Sequence, residues 1–317
     1  MTEKVYGIHH ITAIAGDPQR NIDFYTGVLG LRLVKLTVNF DDPGTYHLYY
    51  GDEQGRPGTV LTFFAWSGAG ALPGRAGAGQ VTAVAFTAPP ASLAYWQERL
   101  HEHGINTAPP VDRFGEPVLA FRDPDGLGLE IVFTETPARS SPSAGPIPVD
   151  HVLRGFHSAT LSLSDGEATA AFMRRWLGFT LTGERDGRRR LTTEDDGSGT
   201  PVDLVTVPPA PNGCMGPGAV HHIAWRTPDE ESQHRLLVEL RRHGVEASSV
   251  RDRTYFRSIY LREPGGVLFE VATDTPGFAV DEPLERLGRE LRLPPWLERQ
   301  RSDIEQALPP LRLPNNE

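Results

Sequence analysis

Apolar and polar positions alternate at the start of four stretches of the chain, and each stretch continues in the same order. In the first, Gly7 to Ala15 alternates as a half-buried strand does. Asp17 and "NIDFYTGVLG" then read as a helix, and "LRLVKLTVNF", "YHLYYGD" and "TVLTFFAW" as strands. The second runs from "VTAVAFTAPP" through the helix "ASLAYWQERLHEHGI" to "PVLAFRDPDGLGLEIVF". The third opens on "FHSATLSLSD", continues in "ATAAFMRRWLGFTL", and ends in "RRRLTTEDD" and "PVDLVTVPP". The fourth combines "HHIAWRTPDE", "SQHRLLVELRRHGV" and "RSIYLREPGGVLFEVAT". Local matches tie the units together: "FYTGVLGLRL" with "FMRRWLGFTL", "HEHGI" with "RRHGV", and "DPDGLGLEIV" with "EPGGVLFEVA". The pattern predicts an α+β fold of four βαβββ modules with curved mixed sheets.

The Pro/Ser/Ala/Gly-rich run "TPARSSPSAGPIP" divides the modules into pairs, giving expected domains over 5–135 and 151–278 with a linker at 136–150. Beyond it, residues 279–317 alternate helix-forming stretches with prolines and carry no histidine. This segment reads as a C-terminal helical arm that packs on the domains or on a partner subunit of a homo-oligomer.

Composition narrows the class. At 317 residues, with 38% hydrophobic and 23% charged, the chain is long enough for two cores and has the balance of a globular protein. No apolar run approaches a membrane span, and "MTEKVYGIHH" lacks the apolar region of a secretion signal, so the expected address is cytoplasmic. Cys214 is the single cysteine, which excludes an internal disulfide framework and a Cys-rich zinc cluster. A formal net charge of -10 without a long basic stretch argues against nucleic acid as a partner.

The candidate chemistry lies in "GIHHITA" and "AVHHIAW". Successive side chains of a strand face opposite ways, so one histidine of each pair can enter a shared site. Aligned on their first strands, the modules place His10, His157 and His222 together, with Val84 at or beside the same position. Aligned on their last strands, they match Glu130 with Glu270. His10, His222 and Glu270 make a two-histidine, one-carboxylate set, which suits non-haem Fe(II) with open coordination positions. An unpaired Glu270 in the apolar strand "GGVLFEVAT" would cost several kcal/mol to bury, and a metal removes that cost. His157 and Glu130 are one ligand short of a comparable site.

These residues resemble the vicinal oxygen chelate superfamily, which includes glyoxalase I, fosfomycin-resistance proteins and type I extradiol dioxygenases. More closely, "GIHHITAIAGD", "HHIAWRTPD" and "YLREPGGVLFEVATDTPGF" are similar to the hydroquinone ring-cleaving dioxygenases, over residues 5 to about 280. The resemblance implies that the first and last modules pair around the metal and that the middle pair is metal-free. It implies His10, His222 and Glu270 as iron ligands, and His9, Thr12, His221, Arg253 and Tyr260 as supporting and substrate-contacting residues. The implied reaction takes a small aromatic substrate and O2 at Fe(II), and the same ligand set accepts Mn(II). Tyr260 precedes Glu270 across "REPGG", so a hairpin would bring the two face to face.

Three rivals stand beside this reading. A catechol-type arrangement would use His157, His222 and Glu270. A glyoxalase-like isomerase with Zn or Ni would need a second carboxylate, which "TVLTFFAW" does not offer. A non-catalytic module binding a small aromatic would be expected to lack the ligand set.

Overall fold

Strand, helix and three strands recur four times because the same punctuation recurs. Asp17, Asp165 and Asp229 cap the helices of the first, third and fourth modules, each carboxylate accepting a backbone N–H of the first turn. Gly30, Gly104, Gly178 and Gly244 then turn the chain at φ between 69° and 78°, a left-handed conformation that favours glycine. The computed structural model describes residues 4–68, 72–135, 145–193, 200–207 and 213–314, so residues 136–144 of the expected linker lie outside the described residues.

The first module comprises β1 (Ile8–Ala15), α1 (Pro18–Ile22), β2 (Arg32–Asn39), β3 (Asp42–Gly51) and β4 (Val60–Ala65). The second comprises β5 (Gln80–Ala88), α2 (Leu93–Glu102), β6 (Val111–Arg113), β7 (Glu116–Arg122) and β8 (Gly128–Phe133). The third has β9 (Phe156–Leu163), α3 (Gly166–Phe172), β10 (Phe179–Arg185), β11 (Arg188–Thr193) and β12 (Val202–Thr206). The fourth has β13 (Val220–Thr227), α4 (Glu230–Arg242), β14 (Arg251–Asp252), β15 (Phe256–Arg262) and β16 (Leu268–Pro276).

These strands form two curved eight-stranded sheets, and each sheet joins modules from opposite halves of the chain. One has the order β14-β15-β16-β13-β1-β4-β3-β2, uniting the first and fourth modules; the other, β10-β11-β12-β9-β5-β8-β7-β6, unites the second and third. The seams are antiparallel, β1 on β13 and β5 on β9. The main apolar core spans both sheets, with Trp225 packed edge-on against Phe179 and Phe269.

A second buried cluster lies in the cup of the first sheet. Val34, Tyr49, Ala224, Tyr255, Phe256 and Ala272 meet Phe278 and Leu287 there, so the segment after β16 closes one end of the cup. The segment is anchored by Lys35, which is fully buried and holds the carboxylates of Asp281, at 2.6 Å, and Glu282. Tyr255 donates to Asp281 at 3.1 Å, and the Lys35 ammonium lies 4.8 Å from the Tyr255 ring centre. This arm is less helical than the residue pattern predicts. Among its described residues the one α-helix is α5 (Arg301–Ala307), with short 3-10 turns before it, because prolines interrupt each helix-forming run. Among the described residues no helix is long and apolar enough to cross a membrane.

Candidate metal centre and its cavity

Across the seam of the first sheet Thr12 lies opposite His222, and His10 opposite Ala224. Ala224 in turn pairs with Glu270, and Glu270 with Tyr260. One row across the sheet is therefore His10, Ala224, Glu270 and Tyr260. The row beside it is His222, Thr12, Thr62 and Tyr49. The rows are related by a pseudo-twofold through the seam: His10 matches His222, Ala224 matches Thr12, Glu270 matches Thr62, and Tyr260 matches Tyr49. The "EPGG" turn fixes this register on the fourth-module side, because the Glu263 carboxylate accepts the amides of Gly265 and Val267 at 2.8 Å each.

The pseudo-twofold is broken where it matters. Glu270 supplies a carboxylate, whereas Thr62 supplies a hydroxyl that contacts Thr12 Oγ1 and His47 Nε2, each at 2.8 Å. His10, His222 and Glu270 are all buried, and their ligand atoms lie within 4.8 Å of one another. The two Nε2 atoms are 3.3 Å apart, and Glu270 Oε2 lies 2.9 Å from His222 Nε2 and 3.5 Å from His10 Nε2. Oε2 is nevertheless without an aligned hydrogen bond, while Oε1 accepts one from Ser258. A buried carboxylate oxygen left unpaired beside two imidazole nitrogens is the arrangement a divalent cation satisfies. The donor set fits a metal. Ala224, sharing a row with His10 and Glu270, keeps the space between them free of a larger side chain.

Each candidate ligand histidine touches its sequence neighbour. His9 Nδ1 lies 2.9 Å from His10 Nδ1, and His221 Nδ1 lies 2.8 Å from His222 Nδ1. Simple alternation predicts that these neighbours face apart; a register shift in β1 between Ile8 and His10 brings the first pair of rings together. Burial, helped by the neighbouring imidazole, lowers both His9 and His221 to a pKa of about 3, so both are neutral near pH 7. His9 Nε2 is 3.1 Å from the Thr273 carbonyl and must donate to it. Its Nδ1 is then bare and accepts from His10 Nδ1–H. A neutral His10 is thereby left with its Nε2 lone pair aimed at the centre, the form a metal ligand requires. Burial raises the Glu270 carboxyl, but the adjacent His10 and His222 outweigh it and hold the group well below the usual range.

A cavity of about 320 Å3 opens onto this trio. That is room for one aromatic ring with its substituents. Phe40, Phe64 and Phe256 supply apolar walls, and His221, Tyr49 and Tyr260 supply polar ones. Arg253 Nε donates to the Tyr260 hydroxyl at 3.1 Å. Burial raises the Tyr260 phenol, keeping it protonated, and its contact with Arg253 helps to keep the guanidinium charged.

The structure thus gathers His10, His222 and Glu270, sets His9 and His221 behind or beside the two histidines, and places Arg253 and Tyr260 on the cavity wall. Thr12 sits one step away, bonded to Thr62. His47 and Tyr49 are additional wall residues, joined by a 2.9 Å contact between the Tyr49 hydroxyl and His47 Nδ1. They could have been found by aligning β3 with β15, since Tyr49 is the repeat partner of Tyr260.

The second sheet uses the corresponding positions differently. Glu130 is held by Arg113 through two bonds of 2.5 and 2.8 Å. His157 Nε2 meets Glu116 Oε2 at 3.1 Å, and Arg190 links Glu116 to Asp203. A guanidinium takes the role of the cation for Glu130, and His157 does not join His222 and Glu270.

Comparison with known proteins places this geometry in context. The model of the Glyoxalase/Bleomycin resistance protein/Dioxygenase superfamily matches residues 7–131 and 150–271. The chain is 46% identical over 310 residues to a Bacillus subtilis (strain 168) protein named "Putative ring-cleaving dioxygenase MhqO", covering 98% of each chain. It is 38% identical over 304 residues to the chlorohydroquinone/hydroquinone 1,2-dioxygenase of Sphingobium indicum, covering 94% of each. A crystal structure of a "putative dioxygenase" from Bacillus subtilis subsp. subtilis str. 168 superposes with a TM-score of 0.93 at 46% identity, covering 98% of this chain and 99% of that one.

Proposed function

Because the chain belongs to the Glyoxalase/Bleomycin resistance protein/Dioxygenase superfamily, we propose that it is an Fe(II)-dependent, extradiol-type ring-cleaving dioxygenase acting on a hydroquinone or related phenol with O2. The observation that carries the reading is the broken pseudo-twofold: three ligands, with Thr62 at the place of a fourth, beside a cavity sized for one ring. Such a set leaves coordination positions free for two further oxygen ligands.

His10, His222 and Glu270 would hold the iron. When bound, iron supplies the electron transfer between an aromatic ring and O2 that no side chain here can perform. The protein handles position and protons. Phe64 and Phe256 give the ring apolar walls, and Arg253 with Tyr260 presents a charge-assisted donor pair to a substrate oxygen. His221, neutral and lining the cavity beside His222, presents a polar ring to a bound phenol. The relative named as a chlorohydroquinone/hydroquinone 1,2-dioxygenase supports the substrate class. A glyoxalase-like isomerase would use a second carboxylate, and the position that would provide it is Thr62.

The test is anaerobic reconstitution with Fe(II), followed by oxygen uptake with hydroquinone. The expected result is uptake of one O2 per ring opened, with both atoms of labelled O2 in the product. Metal-loaded protein that takes up no oxygen with any hydroquinone, but isomerises a hemithioacetal, would overturn the reading.

A further inference from the structure

We propose that the Phe40–Asp41 tip of the β2–β3 hairpin is a lid that selects among substituted rings, and that Trp296 of the C-terminal arm sets its position. The proposal rests on the aromatic-substrate reading above and adds the element that limits what the cavity admits.

The hairpin is built to lean over the cavity. Val38 pairs with Tyr46, but the next pair is Asn39 with Asp42, so Pro43, Gly44 and Thr45 lie unmatched between them. An irregularity of this kind bends the strand beyond it. The tip that results is held by side-chain bonds of its own: Asn39 Oδ1 accepts the Asp41 amide at 3.1 Å, and Thr45 donates to Asp42 at 2.7 Å. Asn39, Phe40 and Asp41 all line the cavity that contains His10, His222 and Glu270.

Two pins hold this tip down from outside its own module. Asp41 accepts from Arg253 at 3.0 Å and lies 3.7 Å from Arg251. Because Arg253 also donates to Tyr260, the same guanidinium touches both the lid and the cavity wall. The other pin is apolar. Trp296, 49% exposed, meets the Phe40 ring edge-on at 5.6 Å. An indole half in water on a surface arm needs a reason, and here it meets a residue that also lines the cavity. The arm is firmly rooted, through Lys35 with Asp281 and Glu282, so Trp296 is a fixed stop rather than a loose cover.

With Trp296 in place, Phe40 is held inward and the cavity suits a small ring. Without it, Phe40 gains freedom to swing outward, and rings with a bulky alkyl substituent fit better. Trp296 is a positioning residue: it touches neither the metal ligands nor the cavity.

The experiment compares wild type, Trp296→Ala and Trp296→Phe, all loaded with Fe(II). Affinity for hydroquinone and tert-butylhydroquinone is measured calorimetrically without oxygen, and turnover is measured with it. An edge-on aromatic contact is worth enough to shift the affinity ratio about threefold to tenfold toward the bulkier ring in Trp296→Ala. Metal content and kcat on hydroquinone should be unchanged, Trp296→Phe should restore most of the ratio, and amide exchange over residues 39–45 should quicken in Trp296→Ala alone. An unchanged ratio with unchanged exchange overturns the lid while wild-type cleavage keeps the dioxygenase reading. Wild type that binds neither ring overturns both.

Discussion

Ala224 shows how much one methyl group decides. It is fully buried and is the cross-strand partner of both His10 and Glu270, so any larger side chain occupies the place where their ligand atoms converge. Ala224→Leu is expected to cost about 1–3 kcal/mol through overpacking and to abolish metal retention. Metal analysis after dialysis, with a urea titration alongside, would check both; retained stoichiometric metal would show that the ion sits elsewhere. The paired histidines separate by the same logic. His10→Ala removes a ligand, whereas His9→Ala removes the acceptor that fixes the proton of His10 on Nδ1. Loss of such an orienting partner typically weakens metal affinity about 10–100-fold without eliminating the site. Competition with a chelator would rank wild type, His9→Ala and His10→Ala in falling order. His157→Ala, in the other sheet, should match wild type.

At the scale of elements, the strand repeats were legible because each module carries its own punctuation. The aspartate caps, left-handed glycines and "DPDG" or "EPGG" turns are local signals, and they suffice to align Glu270 with its repeat partners. The side chains around the candidate metal centre were legible only in part. Tyr49 and His47 sit in "YHLYYGD", where aromatic residues look like ordinary strand packing until β3 is superposed on β15. The contact of His9 with His10 depends on a register shift that strict alternation does not foresee. The arm was least legible, because its role depends on a lysine far away in sequence. Lys35 reads as one polar residue in "LRLVKLTVNF", yet it is fully buried against Asp281 and Glu282. Lys35→Ala takes the ammonium from two carboxylates, Asp281 and the buried Glu282, leaving only Arg292 at 3.4 Å from Glu282, and should destabilise the protein by about 3–5 kcal/mol. Lys35→Arg should recover part of this. Chemical denaturation of the three proteins measures it, and a loss below the range of ordinary surface substitutions would mean that water replaces the ammonium.

At the scale of the whole molecule, the candidate metal site lies on the seam between the first and last modules, so side chains more than two hundred residues apart in sequence, His10 and His222, would share one ion. Proton and metal binding must therefore both register in global stability. His9 and His221 have an ordinary value of 6.5 and fall to about 3 in the fold, because burial penalises their charged forms. Between those values the unfolded chain binds more protons than the folded one, so metal-free protein loses stability as the pH falls from about 6.5 toward 3 and is insensitive to these groups above that window. His9→Gln should flatten the slope of unfolding free energy against pH between 6 and 4 by up to one proton, whatever its effect at pH 7. Metal acts in the opposite sense. An ion that binds only the folded chain adds about 2.7 kcal/mol at a hundredfold excess over its dissociation constant. That increment should shrink on acidification, as protons compete for the imidazoles, and should vanish in Glu270→Gln. Urea titrations with and without Mn(II), from pH 4.5 to 7.5, follow both effects in one series. A metal increment that is the same in Glu270→Gln as in wild type would place the ion away from the seam and detach the stability of the molecule from its candidate active site.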